Sequence, residues 1–266
     1  MSLAVSGSLF AWAWAAFLVG PALVGRRQWA VRHPRLALRA WSGLFLTGVL
    51  GAVVGLALVL RSAVEVTREM GSGQRLTACQ TCHAAAVYGA SWLMTAAVGT
   101  AVAVAVYRSA GLALHRRRIR HATRRAAGEL PDELVDGVRV SLVTSETYAA
   151  GCTPGRRAQV LVTTALQALL SDDELRSVIA HESAHLRSGQ RYLLDLAHLQ
   201  ARCLAGVACA AEVARSVALL VELAADDAAA RRCGPAVTAA ALSKVADASG
   251  DDAMRLRARR TALAVA

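Results

Sequence analysis

The chain has 266 residues, 55% of them hydrophobic, with a mean hydropathy of +0.40 and a formal net charge of +11. Such apolarity excludes an ordinary soluble domain. The basic excess does not indicate nucleic acid as a partner, because no zinc finger, recognition helix or aromatic-basic interleaving accompanies it.

Three stretches without a charged side chain come first, at residues 3–24, 41–60 and 84–107. Each is about 20 residues long, enough to cross roughly 30 Å of hydrocarbon as a helix. Trp12, Trp14, Trp41 and Trp92 lie within them, and those near the ends suit a membrane interface. The first stretch has no basic residue before it and no small-residue cleavage site, so it is read as a retained span and not as a leader. Between the first two stretches lie Arg26, Arg27, Arg32, Arg35 and Arg39 with no acid. Arg61, Arg68 and Arg75 in the second connection are nearly balanced by Glu65 and Glu69, whereas Arg108, Arg116, Arg117, Arg118, Arg120, Arg124 and Arg125 follow the third stretch. Short basic connections stay in the cytoplasm, which predicts a multi-pass plasma-membrane protein with its N-terminus outside and everything after Tyr107 inside. Membrane lipids are therefore the expected partner of the arginines. The near-exclusive use of arginine, with Lys244 the single lysine, and the abundance of alanine suggest a GC-rich bacterial genome.

Cys79-Gln80-Thr81-Cys82-His83, in the connection expected to face outward, has the C-x-x-C-H form of c-type haem attachment. A tight disulfide between Cys79 and Cys82, or two free thiols, is the plainer reading of the same residues. Residues 108–137 then read as a basic juxtamembrane linker, helical over 108–128. Val138 to Val143 alternates like a strand, and Val160-Leu161-Val162-Thr163-Thr164 is a second β-branched run. Gly151-Cys152-Thr153-Pro154-Gly155 between them has turn chemistry. Ser171-Asp172-Asp173-Glu174 has the form of a capping box and predicts the start of a helix, with Leu175, Val178 and Ile179 opening its apolar stripe.

That helix carries His181-Glu182-Ser183-Ala184-His185. Residues four apart share a helix face, so both imidazoles reach one cation, and Glu182 is placed to take a proton from a water beside it. Catalytic zinc takes three protein ligands and leaves a position open. Glu222-Leu223-Ala224-Ala225-Asp226 supplies the expected third ligand in Glu222, with Asp226 one turn later to orient a ligand histidine. His198 is a weaker rival for the third place. The expected reaction is attack of water on a peptide carbonyl, with Glu182 taking the proton and passing it to the leaving amine. Val160–Thr164, just before the zinc helix, is expected to bind substrate backbone as an added strand.

Residues 193–221 are apolar but interrupted by Asp195, Arg202, Glu212 and Arg215, and fit a helical hairpin on the zinc helix or on the membrane better than a further span. A helix is predicted from Pro235 to about Ala248, and the arginine-rich tail at 251–266 is expected to be helical. Cys152, Cys203, Cys209 and Cys233 are expected to be reduced thiols, with no spacing that assigns Cys152 a role. The organisation is thus mainly α, with three N-terminal transmembrane helices, a linker at 108–137, a small α+β zincin-like metallopeptidase domain at 138–250 and a tail.

Cys152-Thr153-Pro154-Gly155-Arg156, Val160 to Thr163, Leu170 to Leu175, His181 to Leu186 and Glu222 to Asp226 together resemble the BlaR/MecR-type integral-membrane zinc metallopeptidases and, more distantly, the HtpX-type membrane proteases. The likeness covers roughly residues 140–245, with the membrane region alike in topology only. It implies Zn2+ held by His181, His185 and Glu222, with Glu182 as general base in cytoplasmic cleavage of a protein substrate. In the antibiotic-sensing members that activity is linked to inactivating a transcriptional repressor. The 266 residues contain no Ser-x-x-Lys motif and no penicillin-binding domain, so β-lactam sensing is not expected. Two other functions are compatible with the sequence: a non-proteolytic signalling protein with a structural metal, and a haem redox protein using Cys79, Cys82 and His83. Oligomeric state is not legible.

Overall fold

The structure is a computed structural model that describes residues 2–25, 28–71, 78–128, 132–153, 158–203 and 208–263. It falls into two compact units. One comprises residues 1–30, 36–111 and 197–216; the other comprises residues 31–35, 112–196 and 217–266.

The first unit holds helix α1 (Ser2–Gly25), most of α3 (Pro34–Gly71) and the first part of α4 (Ala78–Gly128). The short helix α2 (Gln28–Arg32) lies between α1 and α3 in sequence. Small residues let α1 and α3 approach closely, as at interfaces between membrane helices. A Cβ on Gly48 would stand 3.0 Å from the Ala16 Cβ, and one on Gly55 would stand 3.1 Å from the Phe10 ring. Phe17 meets Phe45 edge-on with ring centres 5.2 Å apart, and Phe45 also packs against the buried Trp41 at 6.0 Å.

Among the described residues, two helices are long and apolar enough to cross a membrane, Pro34–Arg68 and Ala84–Gly111. Only 22% and 6% of their apolar windows are buried, which is unlike the core helix of a soluble protein. The expected third span, residues 3–24, forms the 24-residue helix α1, but the side chains of residues 18–25 lie outside the described residues, and the apolar stretch found is Val5–Phe17. A third span is therefore not shown. The span expected at residues 84–107 and the basic segment after it are one continuous 51-residue helix, α4. It also takes in Cys79–His83, which were expected in a loop.

The second unit is built on a four-stranded sheet of order β1-β2-β4-β3. Strands β1 (Asp132–Val135) and β2 (Val138–Val143) form a hairpin turned by Asp136 and Gly137, both at positive φ. Asp-Gly is favoured at such a turn because it tolerates that backbone. β1 lies within the segment expected as a linker. The predicted turn at Gly151–Thr153 is instead part of β3 (Ala150–Thr153), while residues 154–157 lie outside the described residues. β4 (Gln159–Thr163) pairs in parallel with β2 and antiparallel with β3. It is thus an interior strand, with four of its five residues buried. Val160–Thr164 therefore has no free edge for an added strand, and the open edge next to β4 belongs to β3.

Helices follow: α5 (Thr164–Leu169), α6 (Asp172–Arg187), α7 (Gln190–Cys203), α8 (Ala208–Cys233), α9 (Pro235–Ser249) and α10 (Asp252–Leu263). The interrupted region at 193–221 is α7 and the first half of α8, with residues 204–207 outside the described residues. Val160 and Val162 of β4, Leu166 and Leu170 around α5, Ile179 of α6, and Ala241 and Val245 of α9 form the buried core.

Candidate metal centre

The predicted capping box fixes the start of α6. The Ser171 backbone N–H donates to Glu174 Oε2 at 2.8 Å, and the Glu174 N–H donates to Ser171 Oγ at 3.4 Å. Lys244 of α9 then donates to the same Glu174 oxygen at 2.7 Å. Ser177 Oγ donates to Thr238 Oγ1 at 2.8 Å, tying α6 to α9 again one turn later. With its core face held in this way, α6 directs His181, Glu182 and His185 into a cavity of about 460 Å3.

Three of the predicted side chains converge. His181 Nε2 lies 3.1 Å from His185 Nε2 and 3.4 Å from Glu222 Oε2, and His185 Nε2 lies 3.5 Å from Glu222 Oε1. These residues form the one potential cation-binding group of His, Cys, Asp or Glu found among the described residues. A tetrahedral zinc with bonds of about 2.0–2.1 Å places its ligand atoms about 3.3–3.5 Å apart. The observed separations fit that requirement, and the donor set of two imidazoles and a carboxylate suits zinc.

The outer nitrogens are also held. His181 Nδ1 donates to Asp226 Oδ1 at 3.0 Å. His185 Nδ1 pairs with Oε1 of the buried Gln190 at 3.1 Å. Such contacts fix the tautomer, leaving both Nε2 atoms directed at the shared position. Asp226 has no solvent exposure and is gripped by Arg257 of α10, whose Nε and Nη2 donate at 2.8 and 2.7 Å. Nη1 of the same guanidinium lies 3.1 Å from Glu222 Oε2. The arginine-rich tail thus completes the site.

Burial alone would lower the basicity of His181, but hydrogen bonds with Asp226 and Glu222 outweigh it and raise its pKa to about 9. Burial pushes the Asp226 carboxyl up, and Arg257 and His181 more than offset this, holding it at about 2. Glu222 is likewise held below the usual carboxylate range by His181 and Arg257 against the effect of burial. Glu182 lines the cavity near the Cys152 thiol. Burial, followed by the charge of Glu182, pushes that thiol up to about 12, so Cys152 is uncharged at neutral pH and stands outside the cation-binding group.

Among the other candidates, His198 is exposed on α7 and is not part of the group. Cys82 is an exposed free thiol, while the side chains of Cys79 and His83 lie outside the described residues. Gln190 and Arg257 were missed by sequence reasoning. Gln190 is five residues beyond His185 but across a helix break at Gly189, and Arg257 sits in a tail whose many arginines look interchangeable.

Residues 113–228 match the model of peptidase family M48. The match supports a metallopeptidase, and it extends over β1 to α7 and most of α8, including His181, Glu182, His185, Glu222 and Asp226. It covers less than half of the chain and stops before α9 and α10. It does not distinguish the BlaR/MecR-type from the HtpX-type subgroup. No curated protein and no solved structure matches the chain.

Proposed function

We propose that this protein is a membrane-bound zinc endopeptidase that cleaves a cytoplasmic or membrane-proximal protein, with a role in regulatory signalling. The observation that carries the proposal is the convergence of His181, His185 and Glu222 on one point, with Glu182 beside it in the same cavity. His181, His185 and Glu222 hold the ion. Bound zinc supplies Lewis-acid polarisation of the scissile carbonyl and makes a neighbouring water more acidic.

The chain's own groups perform the remaining tasks. Glu182 takes the proton of the attacking water and delivers it to the leaving amine nitrogen. Asp226 and Gln190 keep the two imidazoles in the ligating orientation, and Arg257 holds Asp226 and Glu222 in register. The free edge of β3, whose Ala150 lines the cavity, pairs with substrate backbone in place of the interior β4.

The topology read from the arginines puts the cavity in the cytoplasm. A transcriptional repressor is a suitable substrate for an enzyme so placed. Quantitative proteomics of cells carrying the wild type or Glu182→Gln tests the proposal. Fragments that depend on Glu182 support it; identical peptide profiles, with both proteins expressed and zinc-loaded, refute it.

A further inference from the structure

The cavity is far larger than its metal group requires. A water occupies about 30 Å3 of liquid volume, against about 460 Å3 here. Away from the imidazoles the wall is apolar: Leu166, Val178, Ala241, Leu242, Val245 and Met254 contribute from α5, α6, α9 and α10. The Ser177 and Thr238 hydroxyls in this wall are directed elsewhere. Ser177 donates to Thr238, and Thr238 donates to the Gly234 carbonyl at 3.0 Å. Arg257, the only arginine or lysine in the described lining, is committed to Asp226 and Glu222.

We propose that this apolar end is a side-chain subsite for an aliphatic or aromatic residue flanking the scissile bond, so that α9 and α10 set the substrate class. The inference rests on the endopeptidase reading. A peptide paired with the β3 edge presents alternate side chains to opposite faces, and one of them enters the cavity beside the metal group. A charged side chain would lose its water there with no free counter-charge to meet it. The apolar wall draws four of its six residues from beyond residue 228, outside the segment that matches the family model. Specificity is accordingly a property of this chain's own C-terminal helices.

The test uses the zinc-loaded full chain in detergent and peptide hydroxamates identical except for one side chain: hydrogen, isobutyl, benzyl or carboxymethyl. Calorimetry should show the isobutyl or benzyl compound binding at least about 10-fold tighter than the hydrogen one, with carboxymethyl the weakest. Leu242→Asp should bring the isobutyl-to-hydrogen ratio near unity. Met254→Ala, a milder change, should shift preference from isobutyl toward benzyl. Cleavage of a peptide library should show the same apolar residues beside the cut. Equal binding of all four compounds, or a preference for carboxymethyl, overturns the subsite and leaves the peptidase reading standing. Failure of every hydroxamate to bind a protein that retains zinc overturns both.

Discussion

Replacing Arg257 by methionine removes a guanidinium that spans two carboxylates of the candidate metal centre. Asp226 is wholly buried and Arg257 is 12% exposed, so their bidentate contact is nearly dry, whereas Glu222 is 38% exposed and its contact counts for less. Removing one partner of a buried pair costs about 3–5 kcal/mol. Asp226 keeps His181 as a partner, which puts the expected loss near about 3 kcal/mol. For a domain of this size that corresponds to a melting temperature lower by about 10 °C. With Asp226 no longer held, zinc affinity should fall about 10–100-fold, the usual effect of losing an outer contact to a metal ligand. Thermal denaturation of the full chain in detergent and zinc competition with a chelator measure the two effects. Adding Asp226→Leu to Arg257→Met should restore much of the melting temperature, since apolar residues replace a buried ion pair at little cost. Zinc affinity should stay low, because His181 then has no acceptor at Nδ1. A methionine variant that melts within about 2 °C of wild type and retains zinc equally well would refute this account of Arg257.

The Asp226 carboxyl, ordinarily near 3.8, is held at about 2 in the folded protein, so its contribution is complete above 3.8 and is lost as pH falls toward 2. The displacement corresponds to about 2 kcal/mol, and Asp226→Asn should flatten the pH dependence of stability in that window. His181 carries a proton at neutral pH in the metal-free protein, given its pKa of about 9. Zinc loading at pH 7 should therefore release about one proton from it, and affinity should rise up to about pH 9. Calorimetry in buffers of different ionisation enthalpy reads that proton, and buffer-independent heats would contradict it. Ser171→Ala removes the side-chain acceptor at the start of α6 and should cost about 1 kcal/mol in thermal denaturation. A loss above about 3 kcal/mol would show that the capping box is not the main role of Ser171.

The convergence of His181, His185 and Glu222 was legible because a candidate cation site constrains spacing: His181 and His185 one turn apart, and a Glu222–Asp226 pair likewise one turn apart. The capping box at Ser171 was legible for the same local reason. The sheet was harder. Asp132 to Val135 is acidic and largely exposed, so it lacks the alternation that marks a half-buried strand, and only the Asp136-Gly137 turn marks the hairpin. Ala150 to Thr153 contains no β-branched run, and its pairing with β4 decides its state. Which of the strands has a free edge is a property of strand order and cannot be read from β-branched composition. Arg257 and Gln190 escaped notice because each meets its partner across separate helices, Arg257 reaching α8 from α10 and Gln190 reaching α6 from α7.

The most direct measurement is zinc-edge X-ray absorption on the purified, zinc-loaded full chain. The predicted spectrum has two imidazole nitrogens and oxygen neighbours at about 2.0–2.2 Å, with an imidazole lost in His185→Ala and the oxygen shell altered in Glu222→Ala. A sulfur neighbour at about 2.3 Å, or a spectrum unchanged by either substitution, would place the ion somewhere other than between His181, His185 and Glu222.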